Sequence, residues 1–305
     1  MKKLYINQAI SISAQGFWDG FDLPELKEDF QDFKAVDPEY KTVIPAMSLR
    51  RMSKITKMAL MCGLTISKNT ELVWDGIIVG TGLGNLADTE KFLTLISAND
   101  AGLNSPTAFT QSSHNTLSGQ IALQLKNHGY NMTHVQRTFS FENALLDASL
   151  QACCGMKNIL LGAADEHIPI LNTLAREMKF EEKVISNFGE GASFFQLSAD
   201  VSSGIYVQDA LVKMKSENHL QEIDSFLLKN QVEKKSCLLV ATSDLKSDSG
   251  MHQLSVVSLV GNYMTNSGIA MHLACSYVKK KEYSHVLILN ANSATGMGLI
   301  LLGHE

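Results

Sequence analysis

Phe141-Glu142-Asn143-Ala144-Leu145-Leu146-Asp147-Ala148-Ser149-Leu150-Gln151-Ala152-Cys153-Cys154 reads as a helix apolar on nearly all sides, through Phe141, Ala144, Leu145, Leu146, Ala148, Leu150 and Ala152. Strand-like segments flank it, 133–139 before and 158–164 after. The pattern returns near the C-terminus: a strand at 254–260, an almost wholly apolar helix at 267–278, and a strand at 286–289. A helix apolar all round must be buried all round. Two such helices at matching places in two halves predict an internal duplication, with both helices sandwiched between sheets. A layered α/β arrangement, αβαβα, meets that requirement. The division falls near residues 200–203, giving halves of 1–200 and 201–305, the second shortened, in one compact unit.

Outward from these segments, strand and helix patterns alternate, the signature of an α/β fold. Residues 4–13 and 193–197 read as strands. Residues 50–63 carry a helical stripe (Met52, Ile55, Met58, Ala59, Met61), with Gly63 as the left-handed cap that ends it. Residues 72–79 form a strand running into Gly80-Thr81-Gly82-Leu83-Gly84. Leu117, Ile121 and Leu125 mark a helix with Gly129 as its stop. The Lys/Glu-rich stretch 213–235 reads as an exposed helix.

Composition narrows the function classes. The chain has 305 residues, 45% hydrophobic and 19% charged, with a net charge of −5. That is a globular composition, and mild acidity gives no electrostatic reason to expect nucleic acid. The longest apolar runs, such as 286–289 and 299–302, are too short to cross a bilayer, so no membrane association is expected. Lys2 and Lys3 are not followed by a signal-peptide core, which predicts a cytoplasmic protein. The five cysteines (Cys62, Cys153, Cys154, Cys237, Cys275) include no Cys-x-x-Cys pair and no histidine at zinc-finger spacing. They read as reduced thiols packed as small hydrophobes, and no metal or cofactor is expected.

Each candidate motif has a bland alternative. Gly82-x-Gly84-x-x-Ala87 matches a permissive dinucleotide fingerprint, but residues 95–99, ahead of Asp100, do not read as the second strand that chemistry needs. A tight strand-to-helix turn is the better reading. Arg50, Arg51, Lys54 and Lys57 are spaced to put at least three cations on one helix face, either as a solvated exterior or as a dock for an acidic partner. Ser112-Ser113-His114 lacks both the geometry and the elbow of a nucleophile–base pair. His128 and His134 flank a turn, and Glu190 sits in Gly189-Glu190-Gly191-Ala192 before a strand.

Taken in order, Arg50-Arg51-Met52-Ser53, Val79-Gly80-Thr81-Gly82-Leu83-Gly84, Asn115-x-x-x-Gly119-Gln120-Ile121-Ala122, Leu160-Leu161-Gly162-Ala163-Ala164-Asp165-Glu166, Gly189-Glu190-Gly191-Ala192, Gly261 and the final stretch 290–301 resemble a β-ketoacyl synthase of the thiolase-like superfamily. The resemblance implies the thiolase-like duplicated five-layer fold and a two-fold dimer. It also implies a cysteine at the start of the first buried helix, two histidines and a lysine. There the cysteine takes an acyl chain as a thioester. The histidines stabilise the enolate left when a malonyl unit loses carbon dioxide.

None of the four stands here. The cysteine position falls on Phe139, and no cysteine exists between Cys62 and Cys153. One histidine falls on Asn262 after Gly261, the lysine on Val257, and the other histidine on Thr242 or Ser243. Phe and Val have no nucleophilic or acid–base chemistry. The resemblance therefore implies a catalytically inactive ketosynthase-like subunit, the chain-length factor of a heterodimer. Its short length is similar to partner subunits of aryl polyene and flexirubin-type systems. Such a subunit pairs with an active ketosynthase, meets an acyl carrier protein and helps shape the acyl tunnel of polyketide or fatty-acid type synthesis. By that analogy 133–139 pairs across the two-fold axis and 109–117 borders the partner's tunnel. Phe109, Asn115, Thr116, Val135 and Phe139 become tunnel or interface candidates, and Arg50, Arg51 and Lys54 candidates for carrier docking. Two other classes remain: a divergent acyltransferase or decarboxylase using Ser140 with His134 as base, and a self-associating scaffold.

Overall fold

The computed structural model describes residues 2–27, 30–98, 106–200, 204–215, 218–243, 249–292 and 296–305. Strands β1 (Leu4–Ser13) and β2 (Gly16–Asp19) form a hairpin. Helices α1 (Ala46–Leu49) and α2 (Lys54–Thr70) lead to β3 (Gly76–Gly80). Then follow α3 (Leu86–Ala98), α4 (Pro106–Ser112), α5 (Thr116–Leu125) and β4 (Tyr130–His134). A short 3-10 turn (Arg137–Phe139) enters α6 (Ser140–Cys153), followed by β5 (Asn158–Asp165), α7 (Pro169–Glu177), α8 (Glu182–Ser186) and β6 (Gly191–Ser198). The second half runs β7 (Ile205–Met214), α9 (His219–Lys229), β8 (Cys237–Ala241), β9 (His252–Ser255), α10 (Val257–Val260), α11 (Asn266–Lys279), β10 (His285–Asn292) and β11 (Gly296–His304).

Strand order shows the duplication directly. The first half is ordered β4-β3-β5-β6-β1 and the second, read inward from its edge, β9-β8-β10-β11-β7. Senses match position by position. β3 runs parallel to β4 and β5, and β8 parallel to β9 and β10. β6 is antiparallel to β5 and β1, and β11 antiparallel to β10 and β7. Among the described residues the two sheets pair only where Leu4 and Tyr5 meet Val207 and Tyr206.

α6 and α11, the two apolar helices, occupy equivalent crossovers and pack on both sheets. Together with Phe195, Ile288 and Ile300 they form the central core. A second core lies under α2 and α5, and a third under α9. That makes five layers. The second half is shorter in part because ten residues, 242–251, join β8 to β9 where 81–129 join β3 to β4. The division at 200–203 falls partly outside the described residues.

Several elements differ from the sequence reading, each because a pairing partner begins or ends. The strand placed at 133–139 leaves the sheet at His134, where its register with β3 ends at Gly80. The strand placed at 254–260 stops at Ser255, opposite Ala241 at the end of β8. Its remaining apolar residues are buried as α10. Residues up to Met214 pair with β11, so the helix placed at 213–235 begins only at His219, capped by Asn218. The strand placed at 72–79 starts at Gly76, and Val73 is exposed.

α2 begins at Lys54 rather than at residue 50 and runs through Gly63 to Thr70, ending at Glu71 with φ 52. Gly63 is there for contact, since a Cβ would lie 3.3 Å from Ile121 on α5. α5 ends at Lys126, with φ 51, before Gly129. Cys62, Cys237 and Cys275 are buried, but Cys153 and Cys154 are exposed where α6 emerges beside the exposed Leu150. No helix among the described residues is long and apolar enough to cross a membrane.

Candidate functional site

The start of α6 is held by bare backbone. Gly80 ends β3 against it, and a Cβ there would lie 2.6 Å from the Ser140 carbonyl. The following turn reverses through Gly84 at φ 68, which supports the tight-turn reading of the glycine motif. Phe139 precedes α6 and is 2% exposed. Ser140 Oγ donates to the Arg137 carbonyl at 2.7 Å and accepts from Gln136 N–H at 2.8 Å. Its hydroxyl is thus occupied within its own turn. His134 is turned away from it, 2.8 Å from Asp147, which also accepts from Tyr130. The Ser140–His134 pair of the acyltransferase reading is not assembled.

Beside this helix start lies a cavity of about 530 Å³. One wall is apolar: Leu171 and Leu174 on α7, then Met178, Phe180 and Val184. The other is polar, with Thr138, Thr242, Ser243, Asn262 and Asn290. Asp165, Glu166 and His167 close one end. Two of the positions the family resemblance singled out, Thr242 and Asn262, therefore come together here. Phe139 is buried one residue behind Thr138 and does not line the cavity, and Val257 is buried on α10 away from it. Among the described residues that line it there is no cysteine or lysine.

Asn290 organises the polar wall. Its Nδ2 donates to the Thr138 carbonyl at 2.6 Å and to Glu142 Oε1 at 2.7 Å, which leaves Oδ1 as the free acceptor. Glu142 is fully buried; burial outweighs the hydrogen bonds that favour its charged form and lifts its carboxyl to about 7. Asp165 ties the loops around the cavity, accepting from Thr81 Oγ, the Gly82 and Leu83 amides, and Thr265 Oγ at 2.7 Å. Burial still pushes its carboxyl up, as it does that of Glu166. His167 Nε2 lies 2.9 Å from Asn172 Oδ1, so it carries the proton. The site can hold an elongated apolar group with hydrogen-bonding atoms at one end; its lining contains no thiol.

The remaining candidates lie elsewhere. Phe109 is on α4, 61% exposed and 5.6 Å from the Phe92 ring. Asn115 caps α5 and accepts from Ser113 Oγ at 2.7 Å. Thr116 is buried and donates to the Thr110 carbonyl at 2.6 Å. Val135 is exposed just past β4. Arg50 and Arg51 lie in the turn after α1 and are exposed, so only Lys54 and Lys57 are on a helix and no three of these cations share one helix face. Lys54 is not a free cation. It pairs with Glu190, which is 1% exposed and also accepts from the amides of Ala35 and His167.

Sequence reading passed over His167, Glu142, Asn290 and the α7 wall. The signal for α7 was present, since Ile170, Leu171 and Leu174 recur at helical spacing after Pro169.

The sequence matches the beta-ketoacyl synthase family, N-terminal domain, over residues 27–231. No curated protein matches it in sequence. Solved structures share the fold. The ishigamide ketosynthase/chain length factor is 14% identical, with 99% of each chain covered and a TM-score of 0.77. A type II polyketide acyl-carrier protein in complex with its hexaketide-bound ketosynthase gives 14% identity, 100% and 99% coverage, and 0.78. A ketosynthase (ApeO) in complex with its chain length factor (ApeC), from Xenorhabdus doucetiae, gives 14%, 99% of each chain and 0.62.

Proposed function

This chain belongs to the β-ketoacyl synthase family, and from that premise we propose that it is a non-condensing, chain-length-factor subunit. It pairs as a heterodimer with an active ketosynthase in the cytoplasm and shapes the tunnel that receives a polyketide or fatty-acid type chain. The observation that carries this reading is the buried Phe139 before α6, the residue that the family resemblance aligns with the nucleophile, beside a cavity whose lining offers no thiol. Acyl transfer in this family requires that sulfur. The similarity to ketosynthase/chain length factor assemblies supports the pairing.

In this reading the β4 edge and 109–117 face the partner, and 1–200 and 201–305 act as one body. Phe109, Asn115, Thr116 and Val135 border the partner's tunnel. Carrier docking rests on Arg50 and Arg51, because Lys54 is spent on Glu190. Alone, the chain forms a homodimer through the same surface.

Co-expression with a ketosynthase is expected to give a one-to-one complex, and incubation with acyl and malonyl carrier protein to leave the mass of this chain unchanged. A covalent acyl adduct on it overturns the proposal. Phe109→Ala should lengthen the product of the pair, since rejecting one methylene takes about 1–3 kcal/mol. An unchanged product distribution removes Phe109 from the tunnel.

A further inference from the structure

The cavity beside α6 asks more of a ligand than an apolar shape. Asn290 lines it from β10 and is 6% exposed. Both hydrogens of its Nδ2 are spent, one on the Thr138 carbonyl and one on Glu142 Oε1. Two acceptors on the nitrogen fix the orientation of the amide, so the oxygen is the atom left to offer. That Oδ1 has no donor among the described residues, yet it is not sealed inside protein. Whatever displaces water from it must bring a hydrogen of its own, because a buried carbonyl left without a donor costs free energy.

Charge selects in the same direction. Among the described lining residues the acids Asp165 and Glu166 are accompanied by no lysine or arginine, and Glu142 stands directly behind Asn290. Donors of this chain already hold both lining acids: Thr81, Thr265 and the Gly82 and Leu83 amides on Asp165, and the Ala87 and Ile55 amides on Glu166. They need no cationic head, and they disfavour an anionic one. On the apolar wall Leu171, Leu174 and Met178 recur at i, i+3 and i+7, a strip about 10 Å long at roughly 1.5 Å per residue. Leu174 and Met178 are also exposed, which places the mouth of the cavity along α7.

We propose that this cavity holds, without a covalent bond, an uncharged amphiphile: a primary carboxamide whose N–H donates to Asn290 Oδ1, its alkyl chain lying along α7. The inference stands apart from the non-condensing reading. Its test uses neither a ketosynthase nor a carrier protein, so either idea can fail alone. The purified full chain is titrated calorimetrically at about pH 8, where a carboxylic acid is ionised, with octanamide, N,N-dimethyloctanamide and octanoate. Octanamide is expected to bind saturably. The dimethyl amide keeps the carbonyl but has no hydrogen to give, and octanoate adds a negative charge. Each should bind weaker by about tenfold or more, the loss of one hydrogen bond to a buried acceptor. Leu174→Trp sets a ring at the mouth from an exposed position and should weaken octanamide by at least about tenfold. In the wild-type chain, nuclear Overhauser contacts should join the octanamide chain to the Leu174 and Met178 methyl groups. No saturable binding of octanamide, equal affinity for either other probe, full affinity in the variant, or absence of those contacts overturns the proposal.

Discussion

Glu142→Gln should change how stability depends on pH, and the structure sets both sign and size. Glu142 lies in the first turn of α6, wholly buried, with Oε1 accepting from Asn290 and Oε2 without a partner. Its carboxyl titrates at about 7 in the folded chain against an ordinary 4.5. Between those values the folded chain holds a proton that the unfolded chain has released. Stability therefore falls as pH rises through this window. Below 4.5 both states are protonated and the effect vanishes; above 7 it is complete. At about 1.4 kcal/mol per tenfold change in proton affinity, the wild-type chain loses about 2 to 3 kcal/mol from this group between about pH 5 and pH 8. The glutamine side chain of the variant keeps an acceptor for Asn290 and has nothing to titrate. Urea unfolding of both proteins at the two pH values isolates the difference, because every other group cancels. The variant should gain about 2 to 3 kcal/mol relative to wild type on going to the higher pH. Parallel pH profiles would refute the burial argument for this carboxyl.

Three further outcomes follow from named contacts. Lys54→Met strands the buried Glu190 carboxylate and should lower stability by about 3 kcal/mol, the low end for breaking a buried pair; a loss confined to carrier binding would mean that Lys54 is a surface cation after all. Gly80→Ala drives a Cβ to 2.6 Å from the Ser140 carbonyl and should cost about 1–3 kcal/mol in urea unfolding, so a neutral result would contradict the close approach of β3 to α6. His272, buried on α11, must carry its proton on Nε2 because it faces the Gly20 carbonyl at 2.7 Å, while Nδ1 accepts from Ser11. Burial lowers it to about 4 against an ordinary 6.5, so its contribution is intact above 6.5 and lost as pH falls toward 4. Nitrogen NMR should show a neutral Nε2–H tautomer until then, and a midpoint near 6.5 would contradict its burial.

Much of the fold was legible because burial leaves a compositional trace. α6 and α11 lie between two sheets, so solvent meets few of their positions, and the run of apolar residues declares it. Glu142 on α6, like His272 on α11, is an exception inside these runs. A polar residue on an apolar helix reads as an exposed face, and only the packing of Asn290 and Gly298 around it shows the reverse. The ends of β4 and β9 were illegible for another reason. Val135 and Val257 suit a strand by type, yet a strand lasts only as long as its neighbour supplies hydrogen bonds.

From sequence alone came the duplicated α/β layering, carried by residue type and spacing, and the expectation, implied by the family resemblance, that Phe139 falls where that family has its cysteine, with no cysteine between Cys62 and Cys153 to replace it. Tertiary structure alone decided that Thr242, Asn262 and Asn290 share a cavity with α7, and that Lys54 turns inward to Glu190. Each of these depends on side chains far apart in the chain meeting across the sheets and helices. Whether a charge finds a partner is fixed by which surfaces the fold presses together.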